Sequence, residues 1–130
     1  MKNVVLNQLI YEVETWKRLI VFIKNENLLR VNRLNEIITS GVDNSILYKI
    51  ENFQEEFLNL ESLYMVLNDE IVDQHNRLKL VQKDDLENEL FRLINLQKQT
   101  RNNMEKLINK INKIKADFFQ DFSEKLYNFC

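Results

Sequence analysis

The feature that most constrains this sequence is a heptad row of apolar residues between positions 46 and 81. Apolar side chains recur there at alternating spacings of four and three, and only Gln74 interrupts them: Ile46, Ile50, Phe53, Phe57, Leu60, Tyr64, Leu67, Ile71, Leu78 and Val81. This is the a/d spacing of a heptad helix, and a β-strand, with its two-residue period, does not produce it. A single helix cannot bury such a row alone, so the rest of the chain is expected to supply packing partners.

Composition indicates one domain made of few, long elements. The chain has 130 residues, of which 45% are hydrophobic and 29% charged, as in globular proteins. One glycine and no proline leave few turn signals. We therefore predict a single domain over residues 1–130. Its expected fold is all-α, an antiparallel three-helix bundle of long helices with coiled-coil packing.

Helix 1 is predicted over residues 3–38. Its expected core row is polar only at Asn27: Leu6, Leu9, Val13, Trp16, Ile20, Ile23, Asn27, Val31, Leu34 and Ile38. The helix carries further apolar side chains outside that row, at Val5, Ile10, Leu19, Val21 and Phe22. A helix that is apolar beyond one stripe is buried on more than one side. The surplus indicates either extra core contacts or, as we prefer, a second face for an oligomer or a partner.

The clearest boundary separates helices 1 and 2. Gly41, the only glycine, is expected in the left-handed conformation that ends many helices. The side-chain oxygens of Asp43, Asn44 and Ser45 follow, and such oxygens cap the free N–H groups at a helix start. Helix 2 is therefore predicted over residues 44–82.

The boundary after helix 2 rests on a slip in the four-three rhythm at residues 82–85, where Asp84 and Glu87 resemble a capping box. We predict a tight turn, with helix 3 over residues 85–127. The alternative is one continuous helix of roughly 85 residues, about 125 Å long. The expected core row of helix 3 is Leu86, Leu90, Leu93, Gln97, Thr100, Met104, Leu107, Ile111, Ile114, Phe118, Phe122, Leu126 and Phe129.

The charge distribution also favours the turn. Residues 51–73 contain seven acidic side chains and no basic one, whereas residues 98–115 contain six basic and one acidic. Folding the chain back at about Lys83 would set Lys113 near Phe53 and the two stretches side by side. We expect these charges to pair within the molecule. The formal net charge of −2 argues against nucleic-acid binding, which depends on phosphate neutralisation.

Catalytic chemistry is difficult to place in this sequence. One glycine cannot build a phosphate-binding loop or an EF-hand, and one histidine cannot supply the paired Glu-x-x-His motifs of di-iron bundles. The single cysteine, Cys130, is the last residue, where reactive groups are poorly held, and we expect an exposed thiol. The sequence therefore predicts no enzyme activity, cofactor, metal or small-molecule substrate.

Localisation is predicted from the same features. The longest apolar run, Leu19 to Ile23, is far shorter than the roughly 20 residues of a membrane span. Glu12 and Glu14 interrupt the N-terminal segment before a signal-peptide core could form. One cysteine cannot form an internal disulfide. We expect a cytoplasmic protein.

His75 directly follows Gln74 of the core row, so we expect it at the edge of the row or in solvent. The string from His75 to Lys79 resembles the His-x-Leu-Lys-Gly pattern of histidine phosphotransfer domains. Leu78 and Lys79 are each displaced by one position, however, and Leu80 stands in place of the glycine. The resemblance implies phosphorylation of His75, and we keep this as an alternative to a solvated surface histidine.

Two further groups of residues leave alternatives open. The polar row positions Asn27, Gln74, Gln97 and Thr100 either fix the helix register or line a ligand pocket, and register is the simpler interpretation. The aromatic residues after position 117 either close the end of the bundle or dock a partner. Phe119 is out of phase with the row and is the best candidate for a contact outside the bundle.

The function that best fits these features is protein–protein interaction, as an adaptor, chaperone-like or scaffolding bundle. A homodimer formed through helix 1 is the expected assembly. The residues predicted to mediate interaction are Val5, Ile10, Leu19, Val21, Phe22 and Phe119. Binding of helix 1 to a membrane surface is a weaker alternative.

Overall fold

The computed structural model describes the backbone of residues 2–84 and 87–129, and the side chains of residues 3–84 and 87–122. Within these ranges it contains three α-helices and no strand: α1 (Lys2–Thr39), α2 (Asn44–Asp84) and α3 (Glu87–Phe129). The prediction of an all-α three-helix bundle is confirmed. With 38, 41 and 43 residues, the helices are roughly 57–65 Å long at 1.5 Å per residue.

The chain runs up, down and up again, and α2 contacts both other helices more closely than they contact each other. Gln74 of α2 meets Thr100 of α3, and Phe53 at the other end of α2 meets Phe118. The chain therefore doubles back after α2, and the continuous-helix alternative is wrong. Residues 85 and 86 lie outside the described part of the chain, and the predicted capping box falls partly on them.

The core follows the predicted row of α2. Every residue of that row from Ile50 to Val81, including Gln74, is buried, and Ile46 is half-buried. Phe53, Phe57, Phe118 and Phe122 form an aromatic cluster with ring centroids 5.3–6.0 Å apart. Aromatic pairs at these separations contribute about 0.5–1.5 kcal/mol each beyond the burial of their surface. This cluster closes the end of the bundle near Gly41.

The connection between α1 and α2 has its glycine where the sequence predicts, but the hydrogen bond at the start of α2 comes from a backbone oxygen and not from the predicted side-chain oxygens. Gly41 has a φ of 89°, in the left-handed region that costs glycine little. The backbone N–H of Ser40 donates to Glu36 O at 3.0 Å, and that of Ile46 donates to Asp43 O at 3.2 Å. These bonds end α1 and begin α2 within a four-residue connection.

Two details of the predicted packing are wrong. Near the end of α1 the core residue is Ile37, which is fully buried, whereas Ile38 is 37% exposed. Phe53 packs against Phe118 and Phe122 and not near Lys113. The second error arises because α2 continues to Asp84, so the chain folds back beyond Lys83 and Phe53 meets α3 about five residues later than predicted.

The predicted charge pairing has the wrong partner helix. Among the described side chains, Arg101 pairs with Glu12 and Lys115 with Glu26, and both pairs join α3 to α1. The described pairs between α2 and α3 are Lys49–Asp121 and Arg77–Glu89. None of these joins the acidic stretch 51–73 to the basic stretch 98–115, because Arg101 and Lys115 lie on the side of α3 that faces α1.

No helix in the described ranges combines the length and the apolar character that crossing a membrane requires.

Candidate interaction surface and buried polar layer

Four large apolar side chains stand in solvent near the middle of α1. Val21 and Phe22 are each 58% exposed, Leu28 57% and Leu29 63%. Residues seven apart on a helix share a face, so Val21 and Leu28 form one short row and Phe22 and Leu29 a second row beside it. The two rows lie about 100° apart around the helix, with Arg18 and Asn25 between them, and the row of Phe22 and Leu29 is the one that lies more nearly opposite the core. We call these four residues the α1 outer surface.

The α1 outer surface continues in two directions. Tyr11 and Val4, also exposed, lie on the line of Phe22 and Leu29 towards the start of α1. Leu28 lies one turn before Val31, which lines a cavity of about 300 Å³ between α1 and α2. Leu58 lines the same cavity and is exposed. The apolar surface therefore extends from α1 into the outer groove against α2.

The predicted interaction residues fall into three groups. Val21 and Phe22 belong to the α1 outer surface. Val5, Ile10 and Leu19 are half-buried and pack against the core, so most of their surface is used inside the bundle. Phe119 is 54% exposed on α3. It lies beyond Lys115, which pairs with Glu26, and hence towards the Gly41 end of the bundle.

Leu28 and Leu29 were missed by the sequence reasoning. Each lies seven residues after a predicted interaction residue, and this spacing could have found them. The apolar core row of helix 1 is interrupted at Asn27, next to these two residues. The side of the helix that faces solvent is therefore harder to assign there.

A buried polar layer crosses the bundle on the side away from Gly41. Gln74 Nε2 of α2 donates to Thr100 Oγ1 of α3 at 2.6 Å, and the Thr100 hydroxyl lies 3.2 Å from Leu96 O. Gln97 Nε2 donates to Leu9 O of α1 at 3.0 Å and to Glu12 Oε1 at 2.9 Å. Gln74 and Gln97 are both buried, and their Oε1 atoms have no hydrogen-bond partner among the described residues.

Glu12 connects this layer to the surface. Arg101 donates to it from Nε at 2.8 Å and from Nη2 at 2.6 Å, a two-pronged contact typical of arginine and carboxylate. Burial raises the pKa of Glu12, but the hydrogen bonds from Arg101 and Gln97 outweigh burial and leave the pKa below its usual value. The bond to Glu12 raises the pKa of Arg101. The carboxylate is therefore held ionised between α1 and α3.

His75 is buried at the edge of the core row, so the expectation of a solvated histidine is wrong. Its side chain is 6% exposed, with Nδ1 3.0 Å from Lys17 Nζ and Nε2 3.8 Å from Glu14 Oε1. The buried side of α2 is wider than one heptad row because α2 packs against two helices, and position 75 faces α1. Phosphoryl transfer needs a ring nitrogen that solvent and a donor can reach, which this position does not offer.

Asn27 forms a second buried polar contact, nearer the Gly41 end. Its Nδ2 donates to Phe57 O of α2 at 3.3 Å, and its Oδ1 has no hydrogen-bond partner within the described part of the chain. Tyr64 lies close by. Burial and the charge of Glu61 raise the pKa of its phenol, and a contact with Asn27 partly offsets that rise. Asn27 thus links α1 to α2 near the Gly41 end of the bundle. The buried polar layer around Gln74 and Gln97 links all three helices further from that end.

Metal binding was tested on the side chains that the structure describes. Within that set, no three histidine, cysteine, aspartate or glutamate residues come together in a group that could hold a metal ion. Cys130 lies outside the described residues, so the expectation of an exposed thiol remains a prediction.

Comparison of the chain with models of known protein families, with curated proteins and with solved structures finds no match in any of the three.

Proposed function

We propose that this chain is a non-enzymatic, cytoplasmic protein-interaction module that self-associates through the α1 outer surface. The observation that carries the proposal is the exposure of Val21, Phe22, Leu28 and Leu29, each more than half in solvent within nine residues of one helix. Contiguous exposed apolar patches on folded proteins mark interaction sites. Two copies packed along this face would remove these side chains from water.

One line of the outer surface suits a symmetric dimer. A two-fold interface uses the same patch on both copies, and Phe22 and Leu29, extended by Tyr11 and Val4, form an apolar line along which two helices can pack side by side. Leu58 and the groove it lines add apolar surface at the edge of the patch. The partner in this proposal is therefore a second copy of the chain.

The experiment is light scattering coupled to size exclusion over a tenfold range of concentration. We expect the wild-type protein to have about twice the 15.8 kDa mass of one chain. The double variant Val21→Glu/Phe22→Glu should be a monomer with unchanged helical content, because both side chains are exposed in the single chain and glutamate favours helix. Leu28→Glu/Leu29→Glu should behave in the same way.

Phe91→Glu is the matched control. Phe91 is 70% exposed on α3, so the substitution repeats the Phe22→Glu change at a site outside the α1 outer surface. It should leave the dimer intact. A wild-type protein that stays monomeric at every concentration, or a control variant that dissociates as readily as the α1 variants, would contradict the proposal. Binding of the wild-type monomer to liposomes would favour the membrane-surface alternative.

Phosphorylation of His75 is the weaker proposal, because the imidazole is enclosed and Nδ1 is engaged by Lys17. Incubation with a small phosphodonor, followed by a search for an acid-labile phosphate that is absent from His75→Gln, tests it directly.

A further inference from the structure

A second groove lies between α2 and α3, on the side of the bundle away from α1. Its volume is about 350 Å³, and Leu67 and Leu107 form a buried apolar floor. Leu63 and Val66 of α2 project into it and are 42% and 57% exposed. Lys106 and Lys110 of α3 stand along one wall, with Asn103 beside them, and Glu70 of α2 stands on the other. We call this the α2–α3 groove.

The basic residues of α3 point along two sides of that helix. On one side, Arg101 and Lys115 pair with Glu12 and Glu26 and tie α1 into place. On the other side, Lys106 and Lys110 line the α2–α3 groove, where no described carboxylate, Glu70 included, lies within salt-bridge distance of them. The groove side of α3 is therefore basic like the side that faces α1, but no helix in the described part of this chain packs against it.

The way α1 packs shows what fits against α3. Helix α1 lays an apolar row into the bundle and places carboxylates beside it, at Glu12 and Glu26, where they meet basic residues of α3. The α2–α3 groove offers the matching half of such a contact: an apolar floor with two lysines one helical turn apart on its wall. Amphipathic helices bind grooves of this kind through anchors at positions i, i+3, i+4 and i+7.

We propose that the α2–α3 groove binds an amphipathic helix of a partner protein, with an apolar stripe bordered by acidic side chains. The apolar stripe covers Leu63 and Val66, and its carboxylates pair with Lys106 and Lys110. The docked helix occupies the side of α3 opposite α1 and completes a four-helix arrangement. This surface is separate from the α1 outer surface, so a dimer formed through α1 leaves it open.

A focused peptide library tests the charge preference. The library displays 21-residue helical peptides with leucine fixed at the a and d positions and with Glu, Gln or Lys varied at the bordering positions. It is selected against the full-length protein. Peptides enriched on the wild-type protein should carry Glu at the bordering positions, and their binding should weaken as salt rises. Enrichment of Lys or Gln at those positions, or no enrichment, would overturn the proposal.

Charge reversal locates the site. Lys106→Glu/Lys110→Glu should weaken the selected peptides by about tenfold or more, since each lost exposed pair is worth up to about 1 kcal/mol and the new charges repel. Lys83→Glu/Lys98→Glu makes the same net charge change at two exposed lysines outside both the groove and the α1 outer surface and should bind as the wild type does. Equal losses in both variants would overturn the proposal by showing a non-specific attraction.

The solution mass of the charge-reversed variant shows whether the α2–α3 groove is distinct from the proposed dimer interface. Lys106→Glu/Lys110→Glu should leave the oligomeric state of the wild type unchanged. If it instead converts a dimer to a monomer, the occupant of the groove is a second copy of the chain, and the partner helix proposed here is wrong. Loss of the dimer in the α1 variants alone leaves the peptide result unaffected.

Discussion

His75 shows how a single buried side chain makes stability depend on pH. Burial lowers its pKa from the usual 6.5, the charges of Lys17 and Lys79 lower it further, and Glu14 opposes them without compensating. Since Lys17 Nζ donates to Nδ1, the neutral ring carries its proton on Nε2. The folded protein therefore holds this imidazole neutral at pH values where the unfolded chain binds a proton.

We predict that acid destabilises the fold through His75. The contribution of the neutral ring is fully present above pH 6.5 and is lost as pH falls below 6.5 towards the lower pKa of the folded state. Urea unfolding at pH 7.5 and at pH 5.5 should show a larger drop in the free energy of unfolding for the wild type than for His75→Gln. Equal drops for the two proteins would show that other groups carry the pH dependence.

Gly41 carries the second prediction at this scale. A Cβ at this position would meet no heavy atom within 4 Å, so only the backbone conformation resists substitution. Gly41→Ala should lower the free energy of unfolding by about 1 kcal/mol, because alanine is strained at positive φ. Gly41→Asn should cost less, since asparagine tolerates this region. Chemical denaturation measures both, and an alanine variant as stable as the wild type would contradict the assignment.

Single residues also mark the limit of what the sequence predicts. Gly41 was predictable because one glycine in a helical chain has few other uses. The burial of His75 and the choice of Ile37 over Ile38 were not, since each depends on which neighbouring helix covers that side. A heptad row identifies the centre of a buried face, and the edges of the face are set by packing.

At the scale of the helices, ion pairs hold α1 and α3 in parallel register. The Glu12–Arg101 contact has two hydrogen bonds and a further link to the buried Gln97. Lys115 and Glu26 meet only at 3.4 Å. Both pairs are partly exposed, which limits what either contributes. The first should nevertheless couple more strongly because its geometry is fixed by two prongs and a buried neighbour.

A pair of double-mutant cycles tests this difference. The coupling free energy between Glu12→Ala and Arg101→Ala should be about 1 kcal/mol, and that between Glu26→Ala and Lys115→Ala about 0.5 kcal/mol or less. Because the pKa of Glu12 is lowered from 4.5, its contribution should begin to fall below pH 4.5 and disappear only once the pH passes the lower pKa of the folded state, where the carboxylate becomes protonated. Equal couplings at neutral pH would contradict a special role for the Glu12 contact.

Helix bounds were predictable to within two residues, but helix pairing was not. The bounds follow from the apolar rhythm and the caps, which are local properties of the sequence. The basic residues of α3 could pair with acidic residues of either α1 or α2, and the charge pattern of the sequence does not distinguish the two helices. The rotation of α3 about its own axis determines which helix its basic residues face. That rotation is set by core side chains such as Met104 and Leu107.

At the scale of the whole molecule, α2 is the helix on which the other two are assembled. It packs against both α1 and α3, and its wide buried face includes His75 as well as the heptad row. α1 and α3 each keep an outer side in solvent. The α1 outer surface and the α2–α3 groove thus lie on different sides of one bundle, so the two proposed contacts would not compete for one surface.

The candidate site was partly predictable for a physical reason. Surplus apolar residues on helix 1 indicated a second face, and Val21 and Phe22 do lie in solvent. Val5, Ile10 and Leu19 pack against the core instead, because the bundle covers more of α1 than one stripe. Excess hydrophobicity can be counted from a sequence, whereas its division between core and surface depends on the positions of all three helices.

Self-association through α1 predicts that thermal stability depends on protein concentration. Folding coupled to dimerisation is favoured by mass action, by about 1.4 kcal/mol for each tenfold rise in concentration. For a cooperative unit of this size, the wild-type Tm should rise by roughly 2–4 °C per tenfold. The Tm of Val21→Glu/Phe22→Glu should not change with concentration. Phe91→Glu should keep the wild-type slope, because its side chain lies outside the α1 outer surface. A wild-type Tm that is constant from low to high concentration would mean that the four apolar side chains of α1 stay in water at every concentration tested, and it would contradict self-association through this surface.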